Sequence, residues 1–168
     1  MNKKKQISTK LNSPGKINNT NKYGQYYILA GIILLTIIIY AKSIHNGFIW
    51  DDDLQIISNP DIKALSGDNI IKFFSNFYVG MYQPLTSLSY AVEYHFFRLA
   101  PELYHIDNLI LHLLNIILGF FFIYALTHKI NIAAIVALFF GIHPVNVENI
   151  AWISARSGIM YTFFSLAG

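Results

Sequence analysis

The chain contains no cysteine, which excludes a disulfide framework and a thiolate metal site and leaves the redox compartment open. Charge is scarce too: 12% of its 168 residues are Asp, Glu, Lys or Arg, against 54% hydrophobic and 15% aromatic. With a positive mean hydropathy, this balance excludes a disordered chain and fits a polytopic membrane protein better than a soluble domain. Acidic residues are missing from the whole amino-terminal stretch, where Lys3, Lys4, Lys5, Lys10, Lys16 and Lys22 stand alone. Setting those six aside leaves 6 basic against 9 acidic residues, so the net charge of +3 becomes −3. The basicity therefore describes a tail and indicates no nucleic-acid surface. No internal repeat is visible.

Residues 1–24, rich in Lys, Asn, Ser, Thr and Gly, are expected to form a disordered tail held on the cytoplasmic side by its lysines. Residues 25–44 are long and apolar enough for a first transmembrane helix, with Tyr23, Tyr26, Tyr27 and Tyr40 as interfacial anchors. No small-x-small cleavage site follows Tyr40, which argues against a cleaved signal peptide. Residues 45–103 then form an extracytoplasmic loop with two amphipathic helices. Asp68 is expected to cap the first, with Ile70, Phe73, Phe74 and Phe77 on one face; Pro84 opens the second, with Leu85, Leu88, Val92, Phe96 and Leu99 on one face. Glu93 and Arg98 exclude an ordinary spanning role for it. The two helices either lie along the membrane surface or pack into a small soluble unit.

A second span is expected at 104–127. Tyr104, Asn108, His112 and Asn115 fall on one stripe of it, facing other helices or a wet cavity. A third span, 131–145, returns the chain outward to a second extracytoplasmic loop, 146–157, and 158–168 begins a fourth span. The expectation is a piece of a longer membrane protein, inactive by itself.

Alternation of the spans puts two polar clusters on one side of the membrane: Asn46-Gly47-Phe48-Ile49-Trp50-Asp51-Asp52-Asp53 and His143 to Arg156. Carboxylate, imidazole and guanidinium can then converge at the bilayer surface. The alternative is a solvated turn or helix cap after the first span.

Those clusters, with Asn59, Pro84-Leu85, Leu88-Ser89, Tyr104-His105, Asn108, His112, His143-Pro144, Glu148, Ala151-Trp152-Ile153 and Arg156, resemble the amino-terminal part of the transmembrane and tetratricopeptide-repeat O-mannosyltransferase family. The resemblance covers nearly everything after residue 26. It implies an all-α polytopic bundle of the C-type glycosyltransferase kind, with further spans and outer tetratricopeptide repeats. It also implies transfer of mannose or another hexose from a polyprenyl-phosphate donor to a protein or glycan acceptor on the extracytoplasmic face, in the bacterial inner membrane or an equivalent one.

By that resemblance Asp51 is the general base and Asp52 its partner, Arg156 contacts the donor phosphate, and His105, His143 and Glu148 complete the substrate-binding set. The chemistry agrees: an acceptor hydroxyl needs a carboxylate to take its proton, while a phosphate leaves already ionised. A second acid raises the basicity of the first or orients the acceptor, and a guanidinium can hold a phosphate bidentately. The plainer readings are a boundary Arg156, a helix-ending His143-Pro144 turn, a solvated Glu148 and an interfacial Trp152. No metal or cofactor is expected beyond the lipid-linked donor, because no close ligand spacing supports a divalent ion; membrane lipids are the remaining partner. Two positions depart from the family pattern: Gln83 stands where an Arg is common before Pro84-Leu85, and Gly158 where an acid is common. The competing readings are a non-catalytic scaffold of the same fold and a secondary transporter.

Overall fold

The structure, a computed structural model, describes residues 23–168; residues 1–22 of the disordered tail expected over 1–24 lie outside the described residues, and Gly24 already belongs to the first helix. The fold is all-helical. Among the described residues the only strand-like pairing is one bridge between Tyr78 and Met81.

Helix α1, Gly24–Tyr40, continues through a 3₁₀ turn, Ala41–His45, into an apolar segment of 22 residues. Helix α4, Pro101–Thr127, has 27 residues and starts at Pro101, just ahead of the stripe that begins at Tyr104. Both are long and apolar enough to cross a bilayer. Helix α5, Ile130–Ile142, stops at His143, whose ψ of 133° takes the backbone out of the helix just before Pro144. The chain restarts over Pro144–Ala151 at 48° to α5, and counting this bent pair as one span makes three crossings. Its second half contains the short helix α6, Val147–Ala151. Helix α7, Arg156–Ala167, closes the described chain.

Helix α4 is the axis of the bundle, packed on α1, α5 and α7. Leu29 and Ile32 of α1, Ile116 and Phe120 of α4, and Ala133 and Ala137 of α5 form one core. The outward faces carry Leu34, Ile38, Ile39, Phe121, Phe122, Ile135 and Phe139, the pattern of helices solvated by lipid. Small residues let the backbones close up: a Cβ added at Gly141 would stand 2.9 Å from Thr36 Oγ1 and 3.0 Å from Ile116 Cδ1.

The first loop folds on a second core made by Ile56, Ile62, Phe73, Tyr90, Ala91, Tyr104 and Ile153. Helix α2, Gly67–Ser75, is capped by Ser66, whose Oγ accepts from the Asn69 N–H at 3.3 Å, and not by Asp68 as expected. Asp68 sits one place inside the helix, where its charge still favours the dipole. Phe77 lies beyond the helix end, since Asn76 is already extended. Asp61 ties this unit together, accepting from Lys72 Nζ at 2.7 Å and from the Tyr78 hydroxyl at 2.9 Å. The Lys72 hydrogen bond holds the Asp61 carboxyl below the usual aspartate range, while burial and then Asp61 itself push the Tyr78 hydroxyl up to about 12.

Helix α3, Pro84–Phe97, begins at Pro84 as its sequence suggests. Its buried side is the polar one, with Thr86, Ser87, Tyr90 and Glu93 inward and Leu85, Val92 and Phe96 exposed. That inversion suits a helix whose outer solvent is apolar. Leu85 and Val92 wall a groove of about 460 Å³ between α3, α4 and α7, with Ser89, Glu93, Asp107 and Arg156 also lining it.

Substituting Gly141→Val would force branched carbons against Thr36 and Ile116. The expected cost is about 1–3 kcal/mol, read as a lower midpoint of denaturant unfolding in bicelles; an unchanged midpoint would mean that α1, α4 and α5 do not pack this closely.

Candidate functional site

The site grows from a four-residue turn. Beyond the 3₁₀ extension of α1, Asn46 adopts an extended conformation, and the chain turns back over Ile49-Trp50-Asp51-Asp52. The turn is closed from both directions: the Asp52 N–H donates to Ile49 O at 3.0 Å, and the Ile49 N–H donates to Asp52 Oδ2 at 2.9 Å. Trp50 and Asp51 occupy its two corners. Trp50 carries a φ of 48°, a left-handed conformation that costs a bulky residue about 1–3 kcal/mol and persists only where its surroundings impose it.

The second loop, residues 146–157, imposes it. Asp52 is fully buried, and its Oδ1 accepts from the Ser154 N–H at 2.8 Å and from the Ser154 hydroxyl. Two residues earlier on each strand, the Trp50 and Trp152 rings meet edge-to-face with centroids 5.5 Å apart. Residues 50 and 52 thus grip 152 and 154, and Asp51 is left between them. Its side chain is half-buried and makes no hydrogen bond among the described residues. Asp53 is exposed, with the Ser58 hydroxyl 3.3 Å from its Oδ1.

The remaining candidates are spread around this latch. His105 is buried at the start of α4 beside the Asn46–Gly47 backbone, both ring nitrogens lacking a hydrogen-bond partner. His143 is exposed, and its Nδ1 accepts from the Val145 N–H at 3.2 Å, so it caps the 3₁₀ turn that follows α5. Glu148 is exposed in the first turn of α6. No hydrogen bond or ion pair among the described residues joins His143 or Glu148 to Asp51.

Arg156 faces inward. Only 1% exposed, it pairs with Glu93 Oε2 at 2.6 Å and donates to Ser89 Oγ at 3.0 Å, to Asn108 Oδ1 at 2.6 Å and to Tyr104 O at 3.0 Å. Its guanidinium also lies over the Tyr90 ring at 4.7 Å. A phosphate contact by Arg156 would have to displace Glu93 in this arrangement. Burial pushes the Glu93 carboxyl up, and Arg156 opposes that push. Among the described residues no group of three or more His, Asp or Glu is placed to hold a metal.

Sequence reasoning missed Ser154 and the partner of Glu93. A lone acid in the middle of a helix that packs in an apolar bundle signals that a cation must exist, although nothing local says which one. The two departures from the family pattern fit their surroundings. Gln83 is buried and donates through Nε2 to Gln55 Oε1 at 2.9 Å, a neutral pair where an Arg would bury a charge, although Gln83 Oε1 and Gln55 Nε2 are buried without a partner among the described residues. At Gly158 a Cβ would already stand 3.0 Å from Asn149 Oδ1, so an acid there would have to move Asn149.

Ser154→Ala removes the hydroxyl donor to a buried carboxylate, with an expected cost of about 1–3 kcal/mol, checked by denaturant unfolding. Arg156→Met leaves Glu93 buried and unpaired, an expected cost of about 3–5 kcal/mol, and adding Glu93→Leu should restore most of it. If the double variant unfolds as easily as the single one, the ion pair is not what stabilises α3 against α4 and α7.

Comparison with known proteins came out as follows. No protein-family model and no solved structure matches the chain. It is 28% identical over 149 residues to a protein O-mannosyl-transferase of Caenorhabditis elegans, covering 81% of this chain and 21% of that protein. It is 28% identical over 147 residues to protein O-mannosyl-transferase TMTC1 of Mus musculus, covering 82% and 15% respectively. With protein O-mannosyl-transferase TMTC3 of Homo sapiens it shares 27% over 138 residues, covering 76% and 15%. The resemblance carried by the motifs therefore extends over about four fifths of the chain, while the chain spans roughly a fifth or less of the length of these curated relatives.

Proposed function

We propose that this chain carries the acceptor-activating corner of a membrane glycosyltransferase of the C-type fold. In this reading it moves mannose or another hexose from a polyprenyl-phosphate donor to a hydroxyl of a protein or glycan acceptor at the extracytoplasmic face. The observation that carries it is the Ile49–Asp52 turn, which holds Asp51 half-exposed and without a hydrogen-bond partner among the described residues while Asp52 and Trp50 are clamped to the second loop. The similarity to protein O-mannosyl-transferases supports the reaction class.

Asp51 acts as the general base. Its carboxylate takes the acceptor proton as the acceptor oxygen bonds to the anomeric carbon. The bond from that carbon to the phosphate oxygen breaks with inversion, and polyprenyl phosphate leaves with the electron pair. Asp52 works through Asp51: three hydrogen bonds hold it in place, so its role is to fix the turn and set a negative charge beside the base. His105, His143 and Glu148 are assigned to substrate binding around this turn. The topology that goes with the reading has the amino terminus cytoplasmic, the two loops in the periplasm or an equivalent lumen, and further spans and repeats completing the enzyme.

The test is transfer of labelled mannose and glucose from polyprenyl-phosphate donors in membranes expressing the full gene product. Asp51→Asn is expected to insert normally and lose at least about 100-fold in kcat, the usual share of a general base. Asp52→Asn is expected to lose activity together with stability. Wild-type transfer rates in Asp51→Asn would remove Asp51 from the base role.

A further inference from the structure

Trp50 is 78% exposed, yet its backbone is fixed and its ring has one defined neighbour. Its backbone sits at φ 48°, its carbonyl accepts from the Asp53 N–H at 3.2 Å, and its ring stands edge-to-face at 89° on Trp152. Beneath it the Trp152 indole Nε1 is buried with no hydrogen-bond partner. A tryptophan that only marks the membrane boundary needs none of this; it would sit at the end of a span with freedom to adjust. A ring that touches one neighbour at a right angle, stays open over most of its surface and stands next to a carboxylate with no hydrogen-bond partner among the described residues can receive something flat.

We propose that Trp50 is the surface on which the hexose ring of the donor lies, which places the sugar beside Asp51; the inference rests on the glycosyltransferase reading. The negative face of an indole attracts weakly positive C–H groups, and one face of a pyranose ring is made of such groups. Trp50 and Asp51 are consecutive corners of one turn, with Cα atoms ~3.8 Å apart. A sugar stacked on the indole therefore has its reacting carbon near an acceptor hydroxyl held by the carboxylate. Trp152 is a positioning residue, since it touches the sugar only through Trp50.

In the full gene product, replacing Trp152 and every other tryptophan except Trp50 by Phe keeps an aromatic ring beside Trp50 and leaves it the sole tryptophan fluorophore. In nanodiscs the Trp50 emission of this variant is titrated with polyprenyl-phosphate mannose and, separately, with the same polyprenyl phosphate lacking the sugar. The expected result is a saturable change with the mannose-bearing lipid alone, and no quenching of Trp50 by brominated phospholipid. In direct binding of labelled donor, Trp50→Leu is expected to weaken affinity for the sugar-bearing lipid about three- to tenfold and leave the sugar-free lipid unaffected. Trp50→Tyr is expected to recover most of that loss. Equal responses to the two lipids, or strong bromolipid quenching that the donor does not relieve, would overturn the proposal and make Trp50 a membrane anchor. The two readings fail separately. Transfer that depends on Asp51 with binding indifferent to Trp50 sinks only the stacking surface, whereas sugar-selective binding with transfer indifferent to Asp51 sinks only the proposed base.

Discussion

A guanidinium buried in a bundle of apolar helices has to be neutralised and hydrogen-bonded, and much of this architecture follows from how Arg156 meets that demand. Its charge is answered by Glu93 from α3, and its remaining donors by Ser89, Asn108 and the Tyr104 carbonyl. These partners come from α3 and α4, so a single side chain at the start of α7 fixes the mutual position of three elements. The inverted burial of α3 is a consequence. Its polar side must reach Arg156, and Leu85, Val92, Phe96 and Phe97 are left facing outward.

The same logic runs down the α4 stripe. Asn108 donates to the Asn149 and Trp152 carbonyls, His112 meets the Gly141 carbonyl at 3.1 Å, and Asn115 donates to the Ile159 carbonyl at 2.9 Å. The carbonyls of Gly141, Asn149 and Trp152 lie at helix ends and at the break before α7, while that of Ile159 lies within α7. Polar side chains in an apolar helix are costly when unpaired, and Asn108 and His112 here also satisfy backbone that would otherwise be stranded. The irregularity is useful in turn, because it brings Trp152 and Ser154 to the first loop and so clamps the Asp51 turn.

Stability and chemistry therefore meet at neighbouring residues. Inside the bundle Glu93 and Arg156 answer each other and three hydrogen bonds hold Asp52, while Asp51 is half-buried and His143 and Glu148 are exposed. The proposed reaction needs this division, since a carboxylate already occupied by two or three donors is a poor base.

The sequence by itself determined the all-helical class, the apolar segments of α1 and α4, the start of α3 at Pro84 and the polar stripe of α4. Each of these is written in periodicity, run length or the special backbone of proline, and needs no distant residue to be read. The stop of α5 before Pro144 does not belong to that group, since the expected span ran to residue 145 whereas the helix ends at Ile142. Only the tertiary structure decided that Ser66 and not Asp68 caps α2, that Asp52 faces Ser154 while Asp51 faces out, and that Arg156 pairs with Glu93 and not with solvent. The contacts to Ser154 and Glu93 join residues 102 and 63 positions apart, and no local pattern encodes which of three adjacent aspartates a serine a hundred residues away will bind. The turn at Trp50 carries the same lesson: its left-handed backbone is unfavourable locally and exists because Asp52 and Trp152 hold it there.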